Sequence, residues 1–358
     1  MIVSCSSPGL VSIGLSNSLN ALKNHTAFKL IGGGSLTEAP LLAQLAVIYA
    51  SAGCTMVDLS ADVGVVQTVQ EALNAYLPPH QHPALMVSIP MDPDPHFAQL
   101  DLDEPACTVC GVCVPECPVE ALTLEAHRLQ VNNPRCYGCN RCVPVCPTQA
   151  LQLTVQQPNV QAVWPALMHP AVSAVELHTD SADGALWPEF IALYDAALQG
   201  KCLSLCFRPH QTASVAWLSL VEQVLVYSQK SVPQYPLVLQ LDGNPMTGSD
   251  DPNASRAAVE AAQLFFNEAQ RHVWLQQSLN HGQIMVTLSG GINAHTPRLI
   301  QEAGLSPHIA GVGVGTVARK AVWAEVQAGL ENSGGVCPNS VKKATALMEA
   351  FLTPCTNG

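Results

Sequence analysis

Charged side chains are scarce in this sequence. Only 12% of the 358 residues are Asp, Glu, Lys or Arg, about half the usual share. Acidic residues outnumber basic ones by 27 to 15, which gives a formal net charge of −12. Nucleic acids and anionic membrane surfaces both need a basic patch on the proteins that bind them. The composition therefore argues against either one as a partner.

Long hydrophobic runs are also missing. No uninterrupted apolar stretch reaches the length of a transmembrane helix. The first charged residue is Lys23, so the amino terminus lacks the basic region that opens a signal peptide. Fourteen cysteines are too few for a disulfide-dense secreted scaffold. We expect a soluble, cytoplasmic protein without a transmembrane segment, with two domains or one domain carrying an insertion.

Short apolar, β-branched runs alternate with stretches of helical composition along most of the chain. The candidate strands are Phe28–Gly32, Cys54–Leu59, Ala84–Ile89, Val172–His178, Lys201–Phe207, Pro236–Leu241, Gln283–Leu288 and His308–Val314. The candidate helices are Leu41–Ala52, Val65–Leu77, Trp187–Leu198, Thr212–Ser228, Ala254–Leu279, Thr296–Ala303 and Thr316–Leu330. Eight continuous apolar strands alternating with helices predict an α/β fold, a TIM-type (β/α)₈ barrel. An open, doubly wound parallel sheet is the alternative.

The third βα unit of this pattern is interrupted. After Ile89 the chain passes through three prolines and enters a cysteine-rich segment, and a polar linker at 156–159 precedes the next strand. Loops at the carboxyl face of a barrel tolerate such insertions. The sequence therefore predicts barrel segments at 1–96 and 158–358, with an inserted α+β domain at 97–157 after strand three.

The insert is an internal repeat with a period of 29 residues, each half reading C-x2-C-x2-C-x3-C-P. Cys107, Cys110, Cys113 and Cys117 recur as Cys136, Cys139, Cys142 and Cys146. Thiolates at this spacing are typical ligands of a cubane iron–sulfur cluster. Zinc sites usually pair two C-x2-C hooks, so the duplicated runs of four favour iron–sulfur clusters over zinc or inert thiols.

In this motif the first three cysteines of a run wrap one cluster, and the fourth ligates the other cluster. The predicted ligand sets of two [4Fe-4S] clusters are Cys107, Cys110, Cys113 and Cys146 for the first, and Cys136, Cys139, Cys142 and Cys117 for the second. Gly111 and Gly138 lie inside the loops, where a missing Cβ lets backbone amides approach the sulfides. The segment resembles bacterial-type two-cluster ferredoxins at every ligand position.

The net charge is concentrated around the first of these loops. Residues 30–127 contain twelve carboxylates and no Lys or Arg, whereas the rest of the chain carries fifteen acids and fifteen bases. The resulting local field discourages anionic reductants and favours a redox partner protein with a basic face.

Two glycine-rich turns follow the last two candidate strands. Loops in this position bind phosphate in many barrels, through bare backbone amides and a helix amino terminus. The candidate phosphate-site residues are Ser289, Gly290, Gly291, Gly313, Gly315 and Thr316. Glycines that merely permit tight turns are the alternative. Other polar residues at candidate strand ends are Asp58, His178, Arg208, His210, Asp242 and Asn244.

These turns resemble those of barrels that bind flavin mononucleotide (FMN), some of which also use iron–sulfur modules. Such oxidoreductases usually place a lysine near the flavin. This chain has only seven lysines, and we expect Lys29 and Lys201 to open their strands at the opposite end of the barrel. That departure puts catalysis in doubt even where phosphate binds.

The whole chain also resembles one particular family. The FKLIGGGS segment at 28–35, the two-cluster insert, and the SGGIN and GVGVGT turns at 289–293 and 311–316 are similar to those of the light-dependent period family of cyanobacteria. The resemblance implies an iron–sulfur redox sensor that adjusts the circadian period to the state of photosynthetic electron transport. It also implies association with clock components such as the Kai proteins and an input histidine kinase.

Two functional hypotheses follow from these features. In the first, the protein is a sensor and electron carrier without turnover. In the second, it is an FMN-dependent oxidoreductase whose clusters deliver electrons to a barrel-bound cofactor. The family resemblance and the lysine pattern favour the first hypothesis, and the glycine turns favour the second.

Overall fold

Eight parallel strands close into a barrel in the computed structural model of the chain, which describes residues 12–156, 159–209, 214–243, 251, 253–332 and 336–352. The strands in these ranges are β1 Ala27–Ile31, β2 Met56–Ser60, β3 Ala84–Pro90, β4 Ala98–Leu102, β5 Leu122–Glu125, β6 Arg128–Val131, β7 Leu151–Val155, β8 Val172–His178, β9 Cys202–Phe207, β10 Leu237–Asp242, β11 Ile284–Ser289 and β12 Ile309–Val314. The α-helices are α1 Ile13–Lys23, α2 Ala39–Ser51, α3 Val63–Tyr76, α4 Val160–Leu167, α5 Trp187–Leu198, α6 Ser214–Ser231, α7 Arg256–Ala269, α8 Val273–Asn280, α9 Thr296–Glu302, α10 Thr316–Asn332 and α11 Pro338–Leu352.

The barrel strands follow the order β1-β12-β11-β10-β9-β8-β3-β2, and parallel pairing of β1 with β12 closes the ring. This arrangement confirms the predicted TIM-type barrel, and the open sheet is wrong. Each barrel strand is apolar along most of its length because one face packs in the barrel interior and the other faces helices. The core between strands and helices includes Phe28 of β1, whose ring stacks on Tyr49 of α2 with centroids 6.0 Å apart.

The barrel interior changes from apolar to polar along its axis. At the amino ends of the strands, small and apolar side chains such as Ala27, Met56 and Ala174 pack together. Helix α1, which the sequence analysis did not predict, closes this end with Leu15 and Leu22. Toward the carboxyl ends, charged and polar side chains replace the apolar ones. The fold therefore places its polar groups at the face where barrels carry function.

The helical predictions need one correction. The stretch Ala254–Leu279, predicted as one helix, forms two helices, α7 and α8. His272 takes an extended conformation, with φ −120° and ψ 105°, and this change of direction separates the two helices. The turn allows Leu275 of α8 to be fully buried. Apolar spacing alone did not reveal the break, because both helices present an apolar face to the same barrel.

The cysteine-rich segment leaves the barrel after β3 and returns before β8, as predicted. Strands β4 and β7 pair antiparallel at its base, and β5 and β6 form a separate antiparallel hairpin. Helix α4 follows the insert and precedes β8. The third βα unit therefore keeps its helix, and the insert lies between the strand and the helix of that unit. Among the described residues, none of the helices combines the length and apolarity needed to span a bilayer.

Candidate functional site

The eight cysteines of the insert form two groups in the structure. Burial raises the pKa of the Cys113 thiol, and the neighbouring thiols of Cys110, Cys146 and Cys107 raise it further. Burial likewise raises the pKa of Cys142 to about 12, with contributions from Cys139, Cys136 and Cys117. Each group therefore combines three cysteines of one run with the fourth cysteine of the other run. These are the same combinations that the sequence predicts as ligand sets.

Both groups suit an iron–sulfur cluster by the chemistry of their donors. Cys107, Cys110, Cys113 and Cys146 line one cavity together with backbone and apolar side chains. The fourth cysteine of each run accepts a backbone hydrogen bond at the same relative position, from Ala121 N to Cys117 Sγ at 3.1 Å and from Ala150 N to Cys146 Sγ at 3.3 Å. Amide donors to sulfur stabilise thiolates and tune the potential of a bound cluster. The donor sets and the repeated hydrogen bonds fit four-iron clusters.

The two groups face different surroundings. Cys110 of the first group is exposed, and nearby Asp103, Glu104 and Glu116 are exposed as well. Cys136 and Cys139 of the second group instead pack against the hydrophobic core of the barrel. The first group is therefore the outer one, and the second is the inner one.

Tyr137 connects the inner group to the barrel. This residue lies between Cys136 and Gly138, and only 2% of its surface is exposed. Its hydroxyl lies 3.2 Å from Thr316 Oγ1, and the guanidinium carbon of Arg319 lies 4.1 Å from its ring centroid. Burial raises the pKa of Tyr137 to about 12, so the phenol stays neutral at physiological pH. The second loop thus places a neutral aromatic ring against a barrel arginine.

Further contacts fix the second loop on the barrel. Arg135 donates two hydrogen bonds to Glu38, from Nε to Oε2 at 2.5 Å and from Nη2 to Oε1 at 2.6 Å. The backbone amides of Thr37 and Glu38 both donate to the carbonyl oxygen of Pro134, at 2.8 and 2.9 Å. A bidentate pair supported by backbone bonds holds the loop in one orientation.

Gly138 is required by this docking. It has φ +69°, and a Cβ built on it would lie 2.5 Å from the carbonyl oxygen of Ala98. The position of this glycine in the loop predicts an approach of backbone amides to sulfide, and the structure shows in addition a close approach to the Ala98 backbone. Gly111 has the same left-handed backbone, and its added Cβ would meet Leu124 Cδ1 at 2.7 Å.

We expect Gly138→Ala to lower the iron content of the purified protein, because the Ala98 backbone must move before a methyl group fits. Gly200→Ala is the matched control, since Gly200 has φ +78° and no atom within 4 Å of its built Cβ. The control should lose only the roughly 1 kcal/mol of left-handed backbone strain and keep its iron. Iron analysis and urea unfolding measure both effects. Equal iron contents in the two variants would contradict this account of Gly138.

All six candidate phosphate-site residues lie around one cavity at the barrel mouth. Asp58, His178 and Asp242 also line this cavity. Arg208 does not line it, and its Nε donates to the backbone carbonyl of Asp242. His210 and Asn244 lie outside the described residues. The volume of the cavity is about 80 Å³. Pockets for drug-sized ligands measure about 300–1,000 Å³. The flavin hypothesis therefore gains no support from this cavity, whose size suits a small ion.

Backbone geometry accounts for part of the glycine pattern. Gly290 and Gly291 have φ of +72° and +77°, and a Cβ on Gly291 would lie 2.2 Å from the carbonyl oxygen of Ala254. Gly315 has no such restriction, since the nearest atom to its built Cβ lies 3.5 Å away. The side chain of Arg319 reaches the same cavity, and its buried Nε has no hydrogen-bond partner among the described residues.

The prediction for Lys29 is wrong. Lys29 is the central residue of β1, and its Nζ lies 2.5 Å from Glu176 Oε2 inside the barrel, just beneath the mouth. Ser204 and Gln240 also donate to Glu176, at 2.8 and 2.9 Å. Lys201 does lie at the amino end, immediately before β9, and its Nζ donates to the Val172 carbonyl at 2.7 Å.

Sequence reasoning missed several residues that shape the mouth. Glu176 was predictable from the sequence pattern of β8. Glu176 and His178 alternate with apolar residues there, and a period of two places both side chains on one face of the strand. Asp94 and His96 lie beyond β3, in a segment rich in proline and aspartate that has no strand or helix periodicity to place their side chains. Arg319 and Tyr137 gave no local signal, since their contact joins α10 to the insert.

Comparison with known proteins places this architecture in a family. Residues 166–352 match the family described as the light dependent period A C-terminal domain, and residues 106–150 match the 4Fe-4S dicluster domain. Light dependent period A from Synechococcus elongatus is 32% identical over 349 residues, 92% of each chain. The chain belongs to the light dependent period A family. Its insert is an iron–sulfur domain of the 4Fe-4S class.

Solved structures give only distant likenesses for this light dependent period A family member. (S)-3-O-geranylgeranylglyceryl phosphate synthase from Thermoplasma acidophilum has a TM-score of 0.42 and 12% identity, covering 94% of this chain and 98% of that one. The corresponding enzyme from Thermoplasma volcanium has a TM-score of 0.40 and 9% identity, covering 95% and 96%. Likenesses this weak carry no information about activity.

Proposed function

We propose that this light dependent period A family member is a redox sensor with two [4Fe-4S] clusters. The outer cluster is ligated by Cys107, Cys110, Cys113 and Cys146, and the inner cluster by Cys136, Cys139, Cys142 and Cys117. When bound, each cluster takes up and releases one electron, which changes the charge of its loop by one unit. The grouping of the thiols supports these ligand sets.

The observation that carries the sensor proposal is the position of Tyr137. Tyr137 follows Cys136 in the inner loop, and its ring contacts Arg319, whose Nη1 donates to the carbonyls of Ile31 and Gly32 at 2.8 and 3.0 Å. A change in the charge of the inner loop therefore acts on the buried guanidinium of Arg319. The same guanidinium is hydrogen-bonded to the backbone of the barrel. Because the protein interior has a low dielectric constant, a change of one unit in the loop charge alters the electrostatic energy of the Arg319 guanidinium more than it would in water. Arg319 and Tyr137 thereby report the state of the insert to the barrel mouth.

The outer loop offers a docking surface for the electron donor. Asp103, Glu104 and Glu116 are exposed close in sequence to the exposed Cys110, Asp101 is exposed on β4, and Val109 and Val112 add exposed apolar surface. Four exposed carboxylates against one exposed arginine, Arg128, beside Glu104 and Val109 leave an acidic excess that suits a protein with a basic face, and charge complementarity of this kind accelerates encounter. We propose such a protein as the redox partner.

The biological output follows from the family. The Synechococcus elongatus relative carries the name light dependent period A. We propose that the present chain relays the light-driven state of electron transport to the circadian clock and thereby modulates its period. Clock proteins such as the Kai proteins and an input histidine kinase are the proposed receivers, and family membership supports this role.

The test replaces the native gene by variants in the organism that encodes the chain and records the clock period against light intensity. Cys142→Ala should abolish the light dependence, because it removes an inner-cluster ligand. Tyr137→Leu should also abolish it while the purified protein keeps its iron, and Tyr137→Phe should have a smaller effect because the ring remains over Arg319. Cys337→Ser is the control, since this cysteine is exposed and outside both groups.

Two outcomes would contradict the proposal in different ways. A normal light response in Cys142→Ala would show that the clusters are not the sensor. A response lost in Cys142→Ala and unchanged in Tyr137→Leu would keep the clusters as the sensor and remove Tyr137 from the route.

A further inference from the structure

A second group of metal-binding side chains lies in the barrel mouth, apart from the cluster cysteines. Asp94 and His96 follow β3, where the chain leaves the barrel, and His178 ends β8. One ligand atom from each of the three residues lies within 4.8 Å of the other two. Two imidazoles and a carboxylate form a common donor set for divalent transition metals.

His178 is oriented as a metal ligand by a buried carboxylate. Its Nε2 lies 3.1 Å from Glu176 Oε1, and since the carboxylate can only accept, Nε2 carries the proton. The lone pair of the neutral ring is then on Nδ1. The His178 side chain is 92% buried, and Nδ1 has no hydrogen-bond partner among the described residues. Metal-bound histidines almost always donate their other nitrogen to a carboxylate or carbonyl in this way.

The remaining distances are close to those of ligands on a shared ion. His178 Nδ1 lies 3.8 Å from Asp94 Oδ2, and the His96 and His178 rings are 5.1 Å apart between centroids. Two ligand atoms bound at about 2.1 Å in tetrahedral geometry are roughly 3.4 Å apart. Closing the site on an ion thus requires His178 Nδ1 and Asp94 Oδ2 to approach by about 0.4 Å, and a pair at the 4.8 Å limit of the group to approach by about 1.4 Å. Asp94 also binds His96, with Oδ1 2.6 Å from Nδ1, which leaves the Asp94 Oδ2 atom for the ion.

The charge balance of the mouth also favours a cation. Four buried carboxylates lie in or beside this space: Asp58, Glu176 and Asp242 line the cavity, and Asp94 contacts His96 and His178. Lys29 and Arg319 are the buried cations near them, so the described groups carry two excess negative charges when both imidazoles are neutral. Uncompensated buried charge is strongly unfavourable. Either a divalent cation or protonation of the imidazoles removes the excess.

We propose that Asp94, His96 and His178 bind one divalent transition-metal ion, with Glu176 as the positioning residue for His178. The nitrogen-rich donor set favours zinc or ferrous iron over magnesium and calcium, which prefer oxygen ligands. The ion faces the cavity lined by Gly290, Gly291 and Arg319, so a small anion has access to its open coordination positions. The site is independent of the proposed sensor function.

The test uses the full chain, purified anaerobically with its clusters intact and treated with a chelator. Equilibrium dialysis against Zn²⁺ with elemental analysis should show one zinc per chain at unchanged iron content. His178→Ala and Asp94→Asn should each weaken zinc binding by more than about 100-fold, exceeding the 10–100-fold typical of outer-shell partners. His80→Ala is the control, because His80 is exposed and lies before β3, where its carbonyl contacts Asn17 of α1 at the opposite end of the barrel.

X-ray absorption at the zinc edge identifies the ligand atoms of the zinc in the wild-type protein, so this part of the test does not depend on how well a variant folds. Nitrogen and oxygen ligands in the wild-type protein are expected. Sulfur ligands would place the zinc on cluster cysteines and overturn the proposal. Absence of bound zinc, or unchanged affinity in His178→Ala, would also overturn it and leave protonated imidazoles as the compensating charge.

Discussion

A chain carrying Cys117→Ala together with Cys139→Ala is expected to keep one [4Fe-4S] cluster, whereas Cys110→Ala together with Cys117→Ala should keep none. In the structure Cys117 belongs with Cys139 in the group around Cys142, and Cys110 belongs to the group around Cys113. The first pair of substitutions therefore damages the inner site alone. The second pair damages both sites. A cluster that loses a thiolate ligand loses both a bond and the charge that stabilises its iron.

Iron and sulfide analysis measures the result directly. The wild-type chain should contain about eight irons, the Cys117/Cys139 variant about four, and the Cys110/Cys117 variant close to none. Cys110→Ala with Cys146→Ala is the matched control, because it damages only the outer site and should also leave about four. Electron paramagnetic resonance of the reduced proteins adds a second readout, since two neighbouring reduced clusters couple and a single one does not.

The opposite pattern would mean that each run of four holds its own cluster. In that case Cys110/Cys117 would keep one cluster, and Cys117/Cys139 would lose both. The three double variants therefore separate crossed from local ligation.

The cluster cysteines and the barrel were predictable from sequence for a shared physical reason. Three cysteines of each group lie within seven residues of one another, so spacing alone carries most of the information. A strand buried on both faces is continuously apolar, and β8, predicted as Val172–His178, has those bounds in the structure. Both signals are local.

The composition of the mouth was not predictable because its contacts are distant in sequence. Tyr137 meets Thr316 across 179 positions, and Lys29 meets Glu176 across 147. Nothing in a single sequence pairs such residues. Helix α1 is different, since Ser12 accepts from the Leu15 amide as its amino-terminal cap, and Leu15, Leu19 and Leu22 repeat at helical spacing. That signal was present, but serine and glycine near it concealed the periodicity.

The structure shows where the carboxylates of the stretch without basic residues lie. Within the stretch that lacks basic residues, Asp58 and Asp94 are buried in the mouth, and Glu38 is neutralised by Arg135. Asp101, Asp103, Glu104 and Glu116 remain on the surface around the outer loop. These acids therefore differ in role: four face solvent on the insert, two are buried in the barrel mouth, and Glu38 fixes the second loop to the barrel.

Replacing Lys29 by Met should cause a large loss of stability. Lys29 and Glu176 form a buried ion pair with side-chain exposures of 9% and 0%. Burial opposes both charges, but their attraction holds the pKa of Glu176 below its ordinary value and that of Lys29 above it. Removing one member of a buried pair typically lowers the free energy of unfolding by about 3–5 kcal/mol, because the other charge stays buried without compensation. The urea midpoint, followed by circular dichroism, should fall accordingly.

Two controls assign that loss to the ion pair. Arg298→Gln breaks an exposed pair with Glu302, whose side chains are 76% and 54% exposed, so its effect should stay below about 1 kcal/mol. The double variant Lys29→Met with Glu176→Gln should recover much of the stability, since no charge remains uncompensated. The single Lys29 variant should also gain stability as the pH falls, because the pKa of Glu176 rises without its partner and the folded state then binds a proton more tightly than the unfolded one. Equal urea midpoints for Lys29→Met and Arg298→Gln would show that His178, Ser204 and Gln240 stabilise the Glu176 charge on their own.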